Sequence, residues 1–264
     1  MNFINVPFDL KNRQLNNPIF TNFNQKGTRL TDPVVCYNDG RQWKIVPLKI
    51  ALMYPIIQDN YYTNLKEKQD ITSSTVFICP YTLFTAMYLG DYQLHNQIYV
   101  TSLTITKRDD PDKIIIPIIN KTFSYSQNIY PDNDFIREQT KIMTLRNAIT
   151  QFPDCLFLNT KKIDMIHPIV DYDYLFDKTV HFDLKSIKKK LLVYVIEYKS
   201  KKIVDGYKYA VIVPKKNTFD LDQNGFGDYY EKMIEKIKYK NGFVFPCFLF
   251  AWESMGIKSK MVRL

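Results

Sequence analysis

Residues Asp32 to Leu52 read DPVVCYNDGRQWKIVPLKIAL, and the fold is decided here. Two apolar runs, Val34 to Tyr37 and Trp43 to Leu48, flank Asn38-Asp39-Gly40. Asn-Asp-Gly between β-branched and aromatic residues predicts a tight hairpin, with Gly40 at the position where φ is positive. The following LKIALMYPII predicts a short helix that stops before Pro55. A similar pattern returns at Leu191 to Val213, LLVYVIEYKSKKIVDGYKYAVIV. The expected architecture is therefore α+β and β-rich: two related hairpin-based halves with few short helices, in a compact single unit.

Working outward, residues 1–31 are polar and Asn-rich. They predict an extended arm without regular structure, pinned by Phe3, Ile4, Phe8 and Phe20. Residues 32–160 form the first β-rich half and 161–264 the second, which ends with a helix at about 228–240. Within the first half, Gln58 to Ser74 reads as a polar loop and Val76 to Cys79 as a strand stopped by Pro80. Thr82 to Leu89 is a further strand, and Gln97 to Thr106 alternates at period two as one strand. Asp109 to Asp112 is a turn, and Ile114 to Ile119 is its hairpin partner. Thr122 to Asn133 is a loop. Ile136 to Phe152 reads as a helix, with Thr144 capping its final segment and Pro153 ending it. Cys155 to Leu158 returns to β structure. FVFPCFLFAW is a strand or turn that closes the chain.

The chain has 264 residues, 15% aromatic, with 19 Tyr, 18 Phe and only 8 Gly. That length supports a sizeable core, and that many Tyr and Phe favours pleated surfaces. The formal net charge of +9 suits an acidic partner, nucleic acid included. The four cysteines, Cys36, Cys79, Cys155 and Cys247, show no CxxC pairing and three sit in apolar runs, which points to a reducing compartment such as the cytoplasm. No apolar run is long enough to predict a membrane-spanning helix, and the first residues do not have the pattern of a secretory signal.

The order DPVV, the hairpin glycine, VPLKIA and ICPYT resembles an uncharacterised bacterial and archaeal domain family. That family carries DPVIG, NGxARAYPL and YCPLTG. The resemblance continues through TLRNAITQFPDCLFL, where the family has a helix ending in HPDT, then DYDYLFD, the second hairpin, and FLFAW, similar to the family's FWFAW. It spans about residues 18–255. Cys79, Pro80 and Thr82 match, whereas Tyr81 replaces Leu, Leu83 replaces Gly, and Val46-Pro47 stands for Tyr-Pro. The resemblance implies the fold and its duplication and no particular activity. The bias to Asn, Lys, Ile and Tyr also resembles that of proteins from large AT-rich DNA viruses.

Four groups of residues could carry chemistry. Asp220 to Glu231 fits the spacing of a twelve-residue calcium loop. Asp220, Asp222 and Asn224 would offer side-chain oxygens, Phe226 its carbonyl, Asp228 a direct or water-mediated contact, and Glu231 a bidentate carboxylate. Gly227 departs from the pattern at its eighth position, and the alternative is a polar turn in which Asp228 caps a helix. Cys79 is the candidate nucleophile, but thiol catalysis needs a nearby base, and His95, His167 and His181 show no diagnostic spacing. His167-Pro168 and the Asp171/Asp173 pair could build a carboxylate site with His181, with turn formers or satisfied polar groups as the alternative. Lys185, Lys188, Lys189 and Lys190, with Lys199, Lys201 and Lys202, lie near Tyr194, Tyr198, Tyr207 and Tyr209. That combination of phosphate contacts and stacking rings would suit nucleic acid; solvated edge-strand protection is the alternative.

With chemistry-bearing constellations sparse, the reading favoured by the sequence is a non-catalytic structural or interaction protein, working with other protein subunits in a large assembly such as a virion. An enzyme using Cys79 or a metal-assisted carboxylate site is the alternative, and a basic nucleic-acid-binding protein a second.

Overall fold

The computed structural model describes residues 3–6, 10, 12–23, 29–65, 68–119, 121–124, 135–136, 139–166, 192–198, 209–213 and 242–263. In chain order the elements are β1 (Phe3–Asn5), β2 (Gln14–Asn16), β3 (Phe20–Asn22), β4 (Pro33–Asn38), β5 (Trp43–Pro47), α1 (Leu48–Met53), β6 (Ile56–Leu65), β7 (Lys68–Ile78), β8 (Thr85–Leu89), β9 (Tyr92–Tyr99) and β10 (Ser102–Lys107). Then come β11 (Asp110–Ile116), β12 (Lys121–Ser124), β13 (Phe135–Ile136), β14 (Thr140–Thr144), α2 (Leu145–Gln151), β15 (Leu156–Leu158), β16 (Leu192–Tyr198), β17 (Tyr209–Val213), β18 (Gly242–Phe248), α3 (Leu249–Ser254) and β19 (Ser259–Arg263).

The strands make four sheets, ordered β1-β9-β10-β11-β12, β13-β8-β7-β6-β2, β14-β4-β5-β15-β3 and β18-β16-β17-β19. We refer to them as sheets A, B, C and D. The described residues are mostly strand with a few short helices, the β-rich α+β class expected from the sequence.

Sheets C and D contain the same unit. In sheet C the hairpin β4–β5 takes β14 antiparallel beside β4, and α2 carries the chain across to β15, parallel to β5. In sheet D the hairpin β16–β17 takes β18 antiparallel beside β16, and α3 leads to β19, parallel to β17. The registers agree as well. Thr144, the residue before α2, pairs with Pro33, and Phe248, the residue before α3, pairs with Leu192. Leu156 pairs with Lys44 and Lys260 with Ala210, each twelve positions beyond that residue. Lys44 and Ala210 occupy equivalent places, because Val35 faces Val46 as Tyr194 faces Ile212.

Burial follows the pleat. On β4, Val35 and Tyr37 join the large core, while Val34 and Cys36 point to the other face of sheet C. The large core gathers Val46, Phe77 and Phe84 with Val193, Phe245 and Trp252, so residues of both halves share it. Phe84 meets Phe245 edge-on at 5.1 Å and Trp252 meets Tyr209 at 5.2 Å. The smaller core lies against α2 and includes Ile45, Met143, Leu145 and Ala148. Trp43 stacks on Phe152 at its border, with centroids 3.9 Å apart.

Several sequence expectations need correction. Residues 58–65 and 68–74 are not loop: they form most of the β6–β7 ribbon, which pairs without a break from Ile56↔Phe77 to Leu65↔Lys68. Its Thr and Tyr residues are good strand formers, but residues 70–73 are exposed, so their polarity resembles a loop. Gln97 to Thr106 is two strands, β9 and β10, folded back between Tyr99 and Ser102. Val100 takes φ +56 there, and no Gly, Asn or Pro marks the turn. Ile136 to Phe152 is not one helix. Thr140 to Thr144 extends to pair with β4, and the helix starts only at Leu145. Thr144 does cap it, its side chain accepting from the Asn147 N–H at 3.3 Å. Thr122 lies in β12. The N-terminal arm is not irregular, since β1, β2 and β3 each complete the edge of a different sheet. The helix expected at 228–240 lies outside the described residues.

Candidate functional site

Cys79 follows the last residue of β7, and its backbone closes a tight turn. Its N–H donates to the Phe84 carbonyl at 2.9 Å, and its carbonyl accepts from Leu83 N–H at 2.7 Å. Leu83 adopts φ +61 to make this possible. Its side chain is fully buried, so burial offsets the strain of a left-handed leucine. The Cys79 thiol is also fully buried, and its Sγ accepts from the Leu103 N–H at 3.4 Å.

Burial first, and Cys79 second, push the Cys247 thiol far above the ordinary cysteine value. Burial likewise raises Cys36 and Cys155. These are packed thiols, because an apolar surrounding disfavours the thiolate.

His95 does not serve Cys79 as a base. It stands on β9 in a cleft, and its Nδ1 accepts from the Gln97 N–H at 3.3 Å. Burial lowers its pKa, so at neutral pH the ring is uncharged and carries its proton on Nε2. His167, His181, Asp171 and Asp173 lie outside the described residues, as do Asp220 to Glu231 and the lysines at 185, 188–190, 199, 201 and 202. Of the tyrosines placed beside those lysines, Tyr194 and Tyr209 are buried, with Tyr209 against Trp252. Neither offers a face for a base to stack on. Among the described residues no group of three His, Cys, Asp or Glu side chains is placed to hold a metal ion.

Two polar sites went unrecognised in the sequence. The first is a buried ionic cluster. Lys44 Nζ lies 2.9 Å from Asp39 and 2.7 Å from Asp59. Tyr37 donates its hydroxyl to the same Asp59 oxygen at 2.6 Å. Asp39 uses its other oxygen to accept from the N–H groups of Arg41 and Gln42, which fixes the hairpin turn. Asp59 accepts from Asn60 N–H with its second oxygen. Strand parity was the available signal: Lys44 shares a face with Val46, which points into the large core.

The second is a cleft of about 600 Å³ where the arm meets sheets A and B. Arg13 and Gln14 from the arm, Gln93 to Asn96 from β9, and Arg108 line it. Arg108 is held in place by Asp91 at 2.8 Å and by Gln93 and Gln14, each at 3.3 Å. Gln58 ties the two sheets together behind this point, donating to Asp91 and to the Tyr92 carbonyl. The residues are scattered over nearly a hundred positions of sequence, so no local motif announces the cleft.

Comparison with family models, curated proteins and solved structures gives no match.

Proposed function

We propose that this chain is a non-catalytic structural or interaction protein, one subunit of a larger assembly such as a virion. The β6–β7 ribbon is the observation that supports this reading. At about 3.4 Å per residue, its ten paired positions span roughly 30 Å. Among the described residues Ile56, Ile57, Val76 and Phe77 at the base are in the core, while Asp70, Ile71, Thr72 and Ser73 are exposed. Ile71 is 60% exposed, the largest value among the exposed large hydrophobic side chains of the described residues. A two-stranded ribbon that carries an apolar side chain beyond its own core gains stability by lying on a neighbouring surface. A structural calcium at Asp220 to Glu231 and neighbouring protein subunits belong to the same reading.

The test is native mass spectrometry of the chain isolated from its source, beside a variant carrying Ile71→Lys. The expected result is a species heavier than the 31.3 kDa chain, lost or weakened in the variant. A free chain at every concentration, or a complex indifferent to Ile71, would overturn the proposal.

A further inference from the structure

From the cleft between the arm and β9 we infer that the protein binds a small oxyanion, a phosphate or carboxylate attached to a short apolar body. Its volume of about 600 Å³ lies in the range of small-molecule sites. Its charge is one-sided. Arg13 and Arg108 line it, and none of the described lining residues is Asp or Glu. Asp91 neutralises part of the Arg108 charge from outside the lining.

Arg108 is oriented before any ligand arrives. Nε is engaged by Asp91, Nη1 by Gln93 and Nη2 by Gln14. A guanidinium has five N–H donors, so these three bonds leave two for a ligand. A fixed planar fork recognises a phosphate or carboxylate by paired hydrogen bonds. Neutral His95 adds an Nε2–H donor, and Asn96 an amide. The remaining wall is apolar, from Leu10, Ile56, Leu94 and Pro111. It can take hydrocarbon that inorganic phosphate lacks. This inference is independent of the assembly role and concerns a different surface.

Calorimetric titration of the full chain with phenyl phosphate, benzoate, inorganic phosphate and phenol tests it. Phenyl phosphate or benzoate should bind at one site per chain, and whichever binds more tightly assigns the anion. Inorganic phosphate should bind more weakly and phenol not at all. Arg108→Gln should weaken the tighter ligand by about tenfold or more, the usual effect of losing a charged hydrogen bond. Lys113→Gln, whose side chain pairs with Asp110 outside the cleft, should leave it unchanged. Arg13→Gln gives a second variant should Arg108→Gln loosen the arm, and the His95 ring signals in an NMR titration should move on binding. Absence of heat with both aromatic anions, equal affinity for phenol, or equal weakening by Arg108→Gln and Lys113→Gln would overturn the inference.

Discussion

Lys44 Nζ and the Asp59 carboxylate lie 2.7 Å apart with less than a tenth of either side chain exposed. Asp39 stands on the other side of the same ammonium. The lysine therefore holds two carboxylates that would otherwise be buried beside each other. Lys44→Met should destabilise the fold by about 3–5 kcal/mol, because it strands both charges. The equivalent position in the second unit is Ala210, which has no such duty. Replacing Lys44, Asp39 and Asp59 together with apolar residues should restore much of the loss. A triple variant as unstable as the single one in urea denaturation would contradict this account.

The same cluster sets an alkaline limit. Burial lowers the Lys44 pKa, but hydrogen bonds and charge from Asp59 and Asp39 outweigh it, and the net shift is upward. Burial and then Asp59 push Tyr37 well above its ordinary value. Both groups are protonated more readily in the folded state than in the unfolded one. Their contribution is complete below the unfolded values of 10.0 and 10.5 and is lost as pH rises above them. The melting temperature should fall steeply above about pH 10, and Tyr37→Phe should make that fall shallower. An unchanged slope in the variant would remove Tyr37 from the explanation.

Gly40 cannot be replaced. It has φ +93, and a Cβ built on it would lie 2.0 Å from the Tyr62 carbonyl oxygen. That contact is where β6 crosses the hairpin, since Tyr62 N–H donates to the Asp39 carbonyl at 2.7 Å. Gly40→Ala should cost about 3 kcal/mol or more, from strain and displacement combined. Thermal melts giving a loss under 1 kcal/mol would show that the ribbon can shift freely.

Val100 is strained without compensation from deep burial. Its φ is +56 at the β9–β10 turn and its side chain is half-buried. Left-handed backbone costs a β-branched residue about 1–2 kcal/mol, while Asn tolerates it. Val100→Asn should raise stability by roughly 0.5–1 kcal/mol. A lower melting temperature would show that the Val100 contacts outweigh the strain.

Calcium gives a test that depends on the sequence of Asp220 to Glu231. Sub-millimolar calcium should raise the melting temperature relative to chelator, and Glu231→Gln should abolish the rise. Identical melts in calcium and chelator would dismiss the loop as a cation site. Iodoacetamide provides a separate check on the thiols. All four cysteines are buried, so the folded chain should resist alkylation that the unfolded chain undergoes readily. Fast labelling of Cys79 alone would reopen the nucleophile reading.

The hairpin at Val34–Leu48, the helix before Pro55 and the second hairpin at 191–213 were legible because local signals and tertiary pairing agree there. Asn38-Asp39-Gly40 demands a turn, and the turn sets the register of Val35 against Val46. Other segments misled for identifiable reasons. Thr140 to Thr144 has no strong local preference, and its strand exists because Ile142 meets Val35 across the sheet. Val100 breaks the usual turn chemistry, so alternation appeared to run straight through it. The cleft was illegible because Arg13 and Arg108 are brought together only by β2 joining sheet B and β9 lying in sheet A. Lys44 could have been recognised, had the pleat been followed from Val46 two residues back to the position paired with Tyr37.

The lacing of the arm has a consequence for biosynthesis. Phe3 to Asn5 pair with Gln97 to Tyr99, and Phe20 to Asn22 with Leu156 to Leu158. These segments are translated well before the strands they pair with, so they stay unpaired until residues 97–99 and 156–158 have been made. Deleting residues 3–22 would trouble three sheets at once.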